Sequence, residues 1–210
     1  MIRGLYAITP TTTDDARLLQ WVEAALKGGA QLVQYRDKST DAQRRRQQAE
    51  ALLALCRKQG RPLIVNDDLQ LVLDIGADGL HLGREDGDLA TARRQLGPTA
   101  LIGATCHQRL DWAETAVAAG ASYVAFGRFF ASRSKPQAPP APLGLLHEAR
   151  RRLDVPIVAI GGISVDNARS VIEAGADAIA VIEGLFGSHD IAQRALQFQR
   201  LFIEPQAARP

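Results

Sequence analysis

Only two cysteines, Cys56 and Cys106, occur in the chain. Two thiols cannot complete a structural metal cluster and make no disulfide framework, so both read as free thiols of a reducing compartment. A run of about 18 apolar residues, the length a membrane helix needs, is also missing. The opening stretch MIRGLYAITP enters a strand-like run directly, without a small-residue cleavage site. A cytoplasmic protein with no membrane association is expected from it. Charge of one sign is lacking too: 25 Lys and Arg against 23 Asp and Glu leave a formal +2, too little to imply a nucleic-acid partner. The densest basic run, Arg44-Arg45-Arg46, precedes an alanine-rich helical pattern and reads as a solvated helix face. Finally, YAITPTTTDD, after the first apolar run, has none of the spaced glycines of a dinucleotide fingerprint.

What is present is the composition of a globular protein, 46% hydrophobic and 23% charged over 210 residues. Short apolar runs recur: GLYAIT, QLVQYR, PLIVND, GLHLG, ALIGAT, YVAFG, PIVAIGG and AIAVI. Between them lie segments with helical spacing, such as Leu18, Leu19, Val22 and Leu26, or Ala49, Leu52, Leu53 and Cys56. Gly29-Ala30, Gly76-Ala77, Gly120-Ala121 and Gly175-Ala176 close several of these, as glycine does just past a helix end. Eight strands alternating with helices are parallel strands buried on both faces, which is why they read as unbroken apolar runs. The expected fold is a single (β/α)8 barrel over residues 1–203, with 204–210 a frayed tail. An open doubly wound sheet is the rival.

In such a barrel the chemistry sits where strands end. The second strand ends in Gln34, Arg36 and Lys38, whose spacing by two puts them on one face. The third ends in Asn66-Asp67-Asp68, the fourth leads into GREDGD, and the fifth ends in Thr105-Cys106-His107. The sixth leads to Ser132, Ser134 and Lys135 within ASRSKPQAPPAP, a stretch that suits either a surface connection or a phosphate-binding lid. The last two end in Gly161-Gly162 and Glu183-Gly184. Cations, carboxylates, hydroxyls and glycines at one mouth fit a phosphorylated ligand with a divalent metal. Each element also has a plain structural reading. Asp67 or Asp68 would cap a helix beginning near Leu69, Arg36 and Lys38 would be a surface pair, and the glycines would form a turn. His81 reads as packed and hydrogen-bonded, and His107 has no nucleophile beside it. Recurrence at the same end of seven strands favours the site.

At these residues the chain resembles the thiamine-phosphate synthase family. The resemblance is carried by QYRDK, by NDDLQLVLDIGADGLHLGRED and by AIGGI, and it extends over nearly the whole chain. It implies an enzyme that joins hydroxymethylpyrimidine diphosphate to a thiazole phosphate, giving thiamine phosphate and pyrophosphate. By position, Gln34, Arg36, Lys38, Asn66, Thr105 and Lys135 would hold the pyrimidine diphosphate, with Arg36, Lys38, Lys135 and Thr105 as the catalytic group. Asp67 and Asp86 would bind Mg2+. Ser132 and Ser134, with Gly161 or Gly162 and the backbone at Ile182 and Glu183, would hold the thiazole phosphate. Partners would be these small molecules, and the chain is compatible with a homo-oligomer.

The chain departs from the family pattern in three places. Serines replace threonines in the loop after the sixth strand, Thr105 replaces a serine, and Glu183 stands where serine is common. A carboxylate facing a phosphate would repel it, so the Glu183 side chain is expected to turn away, toward Arg133 or Arg128, with its N–H left facing the ligand. Two other activities fit the same barrel: a thiazole tautomerase-like isomerase, and a non-catalytic barrel that binds thiamine phosphates.

Overall fold

Each of the eight apolar runs forms a strand, and its alternate residues point to two different apolar layers. The computed structural model describes residues 2–131 and 140–203. Its strands are β1 Gly4–Ile8, β2 Leu32–Tyr35, β3 Leu63–Asn66, β4 Gly79–Leu82, β5 Leu101–His107, β6 Tyr123–Gly127, β7 Ile157–Ile160 and β8 Ala178–Val181. Between them run α1 Asp15–Lys27, α2 Ala42–Lys58, α3 Leu69–Ile75, α4 Leu89–Leu96, α5 Leu110–Ala118, α6 Gly144–Arg152 and α7 Val165–Glu173. The short α8 Glu183–Phe186 and then α9 Ile191–Arg200 follow β8. All pairings are parallel, and β1 pairs with both β2 and β8, closing the sheet into a (β/α)8 barrel. Residues 204–210, expected to fray, lie outside the described residues.

The alternation assigns side chains to layers. Leu5, Ala7, Val33, Leu63, Val65, Ile102, Val124 and Ile157 belong to the layer between sheet and helices. Tyr6, Ile8, Leu32, Ile64, Tyr123, Ala125, Val158 and Ala180 fill the barrel interior. Helix starts are set by local chemistry. Asp14, Asp41, Asp68, Asp88 and Asp190 each accept a hydrogen bond from a backbone N–H of the first turn. Ser164 and Asn167 form a reciprocal capping box at α7.

The basic run on α2 departs from expectation. Arg44 pairs with Asp41 at 3.2 Å and Arg45 with Asp68 at 3.0 Å, both partly buried, and Arg46 alone is half exposed, beside Glu50. Consecutive helix positions point about 100° apart, so three adjacent arginines cannot share one solvated face. Both cysteines are buried free thiols, and burial pushes each up to about 12.

Candidate active site

The mouth at the C-terminal ends of the strands opens into a cavity of about 870 Å³, within the range of small-molecule sites. Gln34, Arg36, Lys38, Asn66, Asp67, Asp86, Thr105, Gly161, Gly162, Ile182 and Glu183 all line it. Ser132, Ser134 and Lys135 lie outside the described residues, and Ala131, just before them, lines the cavity rim.

Two threonines hold the end of β2 in place. The buried Thr9 hydroxyl accepts from the Arg36 N–H at 2.9 Å, and Thr11 accepts from the Lys38 N–H at 3.4 Å. The backbone that carries both cations is thereby fixed, although the chain here is no longer strand.

The paired aspartates after β3 divide two roles. Asp68 caps α3 by accepting from the Leu71 N–H at 2.9 Å, and Arg45 occupies its other oxygen. Asp67 instead adopts a left-handed backbone, φ 63°, a conformation Asp tolerates better than most residues. Its carboxylate turns into the cavity, where Lys38 Nζ and Asn66 Nδ2 each donate to Oδ2 at 2.5 Å. Asp86 reaches the same point from the loop after β4, its carboxylate folded over Gly83. Burial, and then the charge on Asp67, hold the Asp86 carboxyl above its usual range.

Two carboxylates thus meet at one point of the cavity beside a single ammonium. No group of three or more His, Cys, Asp or Glu among the described residues forms a metal cage. That donor set still fits magnesium, which takes one or two carboxylates and completes its shell with water and phosphate.

The opposite half of the mouth is built differently. Gly161 and Gly162 have φ of 101° and 66°, and the segment after β6 packs against them. A β-carbon on Gly161 would lie 2.2 Å from Arg128 Cβ, and one on Gly162 would lie 2.2 Å from the Ala131 carbonyl oxygen. The pair is thus both a turn and a close backbone contact. Next to it, α8 begins at Glu183. Glu183 is exposed, and its carboxylate reaches one turn on, to within 2.8 Å of where a β-carbon of Gly187 would sit.

On the β4 and β5 rim, Arg84 stacks on Trp112 at 4.0 Å, and His107 meets the same ring edge-on at 6.0 Å. His81 is buried and bonded through both ring nitrogens, to Tyr123 and Thr105, and burial lowers it to about 4.

Known proteins match this barrel along most of its length. The thiamine monophosphate synthase family profile matches residues 5–185. The thiamine-phosphate synthase of Chromobacterium violaceum is 58% identical over 194 residues, 92% of this chain and 93% of that protein. That of Thiobacillus denitrificans is 52% identical over 204 residues, 97% of each. The chain belongs to the thiamine monophosphate synthase family. Among solved structures, a thiamine phosphate pyrophosphorylase from Pyrococcus furiosus superposes with a TM-score of 0.85 at 31% identity, covering 95% of both chains.

The strand-end residues read from the sequence line the cavity where they are described, whereas that reading gives no part to Tyr6, Tyr123 and Thr9 or to Trp112 on the rim. Tyr6 had a signal, since it shares inward parity with Ile8 in the first strand. Thr9 had none beyond a hydroxyl at a strand end. The membrane expectation concerns helices alone, and among the described residues no helix is long and apolar enough to cross one.

Proposed function

We propose that the chain condenses hydroxymethylpyrimidine diphosphate with a thiazole phosphate, giving thiamine phosphate and pyrophosphate. The observation that carries this is the pairing of Asp67 with Asp86 beside Lys38 on one side of the cavity, facing a glycine-built backbone on the other. One half suits a diphosphate with a divalent ion, and the other suits a monophosphate held by N–H groups.

In this reading Gln34, Asn66 and Thr105 hold the pyrimidine end, and Arg36, Lys38 and Lys135 surround the diphosphate. Asp67 and Asp86 would hold magnesium, which when bound would supply neutralisation of charge on the departing pyrophosphate. The C–O bond breaks with its electron pair leaving on pyrophosphate, and the electron-rich aminopyrimidine stabilises the carbocation. The thiazole nitrogen lone pair then forms the new C–N bond. The residues do no proton transfer in this step, consistent with a His81 that is buried and engaged at both nitrogens. Their work is to hold two rings in contact and to stabilise developing negative charge. Ser132 and Ser134, with the backbone of Gly161, Gly162, Ile182 and Glu183, hold the thiazole phosphate, and the Glu183 carboxylate stays clear of it.

The test combines purified protein, both substrates and magnesium, and follows pyrophosphate and thiamine phosphate. Product is expected only with all three additions. Interconversion of thiazole tautomers alone would replace this reading with an isomerase, and binding without turnover would replace it with a non-catalytic thiamine-phosphate-binding barrel.

A further inference from the structure

A continuous chain of hydrogen bonds crosses the barrel beneath the cavity. Gln34 Nε2 donates to Tyr6 Oη at 2.8 Å, and Tyr6 Oη meets Tyr123 Oη at 2.8 Å. Tyr123 Oη meets His81 Nδ1 at 3.0 Å, and His81 Nε2 meets Thr105 Oγ1 at 2.9 Å. The members come from β2, β1, β6, β4 and β5, so barrel closure alone brings them together. Gln34, Tyr6, Tyr123 and His81 are all buried. Gln34, Tyr6, His81 and Thr105 line the cavity, whereas Tyr123 is not part of its lining.

Room for the central link is provided by one residue. A β-carbon on Gly103 would lie 2.1 Å from Tyr123 Cζ, 2.4 Å from its hydroxyl and 2.5 Å from His81 Nδ1. Any side chain there would push the tyrosine and the histidine out of contact.

With Gln34 donating to Tyr6, one sense has every member donating along the chain: Tyr6 to Tyr123, Tyr123 to His81 Nδ1, and a neutral imidazole protonated on Nε2 to Thr105. The opposite sense at the centre would have His81 Nδ1 donating to Tyr123 and Tyr123 to Tyr6; the first is the one proposed. In that first sense the Thr105 proton remains for the cavity, as do Gln34 Oε1 and the second Gln34 N–H. Burial keeps His81 and both tyrosines uncharged near neutral pH.

We propose that Tyr6, Tyr123 and His81 form a proton-ordered positioning chain that presents Gln34 and Thr105 with a fixed donor and acceptor sense, and so selects an amino-bearing pyrimidine. This rests on the proposed synthase reading. An exocyclic amino group next to a ring nitrogen offers a donor beside an acceptor, the complement of a carboxamide, as in Gln pairing with adenine. A carboxamide free to flip would accept the opposite pattern equally well, and anchoring its nitrogen to Tyr6 removes that freedom. Tyr123 acts only through its neighbours.

Two measurements test the chain. In ligand-free, ¹⁵N-labelled native protein at pH 7, the His81 nitrogens should read as a protonated Nε2 and an unprotonated Nδ1. A protonated Nδ1 in the native protein would overturn the proposal, and this reading requires no variant. Tyr123→Phe keeps the ring and removes the link, so the His81 tautomers should mix. In the same variant, preference for the pyrimidine diphosphate over its analogue lacking the amino group should fall at least about tenfold. The thiazole phosphate KM should stay within about twofold. Unchanged preference, or an equal rise in KM for both substrates, would reduce the chain to structural packing and overturn the proposal. Absence of turnover by native protein would defeat the synthase reading, and the His81 measurement would still decide the chain.

Discussion

The two halves of the mouth present different kinds of group. From β2 to β5 the polar groups lining it are side chains, namely Arg36, Lys38, Asn66, Asp67, Asp86 and Thr105. From β6 to β8 they are backbone, exposed by Gly161, Gly162 and the start of α8. Inward positions low in the barrel reinforce the contrast, with Gln34 and His81 on one side and Val158, Ile160 and Ala180 on the other. A side-chain half concentrates charge where a bond must break, at the cost of like-charge repulsion such as that between Asp67 and Asp86. A backbone half binds a spectator phosphate with dipoles that need no counter-charge.

If that division is right, the largest effect comes from the side-chain half. Asp67→Ala should lower kcat at least about a hundredfold, the scale of losing a preorganised electrostatic contact. Near-native turnover in chelator-treated buffer would remove the aspartates from the reaction.

Gly161→Ala probes the other half. A left-handed backbone at a residue with a side chain costs about 1–3 kcal/mol, and the new methyl meets Arg128. The thiazole phosphate KM should rise about tenfold or more, while affinity for the pyrimidine diphosphate, measured by calorimetry, stays within about threefold. Equal losses for both ligands would mean that the halves are not separate.

A third effect is pH-dependent. Burial and the charge on Asp67 hold the Asp86 carboxyl above the usual carboxylate range, and a magnesium ion bound there would have to displace its proton. Magnesium affinity should therefore weaken by up to about tenfold per pH unit as pH falls through the raised value. The stability linkage runs oppositely. Protonation of Asp86 favours the metal-free fold at low pH, and that contribution disappears as pH rises through the raised value. Magnesium titrations between acidic and neutral pH, on native and Asp86→Asn protein, separate the effect from general acid damage.

The smallest effect belongs to Glu183. Its carboxylate lies toward Gly187, so Glu183→Ser should change the thiazole phosphate KM by less than about threefold, a shift well below 1 kcal/mol. A hundredfold improvement would show a carboxylate facing the ligand.

The sequence carried the barrel because each strand is buried on both faces, and that leaves an unbroken apolar run. It carried the side-chain half of the site because Gln34, Arg36 and Lys38, or Asn66 and Asp67, are neighbours along the chain. Asp67 and Asp68 could not be told apart in this way. Both are capping residues by type, and only the left-handed backbone at Asp67 sends one inward while the other closes α3. The Tyr6–Tyr123–His81 connection was hidden for another reason. Its members lie up to 117 positions apart and meet only when the sheet closes. His81, by contrast, is legible as packed and hydrogen-bonded, since a polar ring within an apolar run needs partners. The roles given to Ser132, Ser134 and Lys135, which lie outside the described residues, rest on the family resemblance alone.

The stack of Arg84 on Trp112 makes the rim of the site an optical instrument. The chain has two tryptophans. Trp21 lies between Arg17 and Phe186, on the outer helices and away from the cavity lining. Trp112 lines the cavity and is held by a cation from the loop that also carries Asp86. An anion that drew Arg84 off the indole would change the field around that chromophore, leaving Arg109 at 5.1 Å as its remaining cation, and the protein's own emission would then report ligand arrival at the Asp86 loop without any attached label.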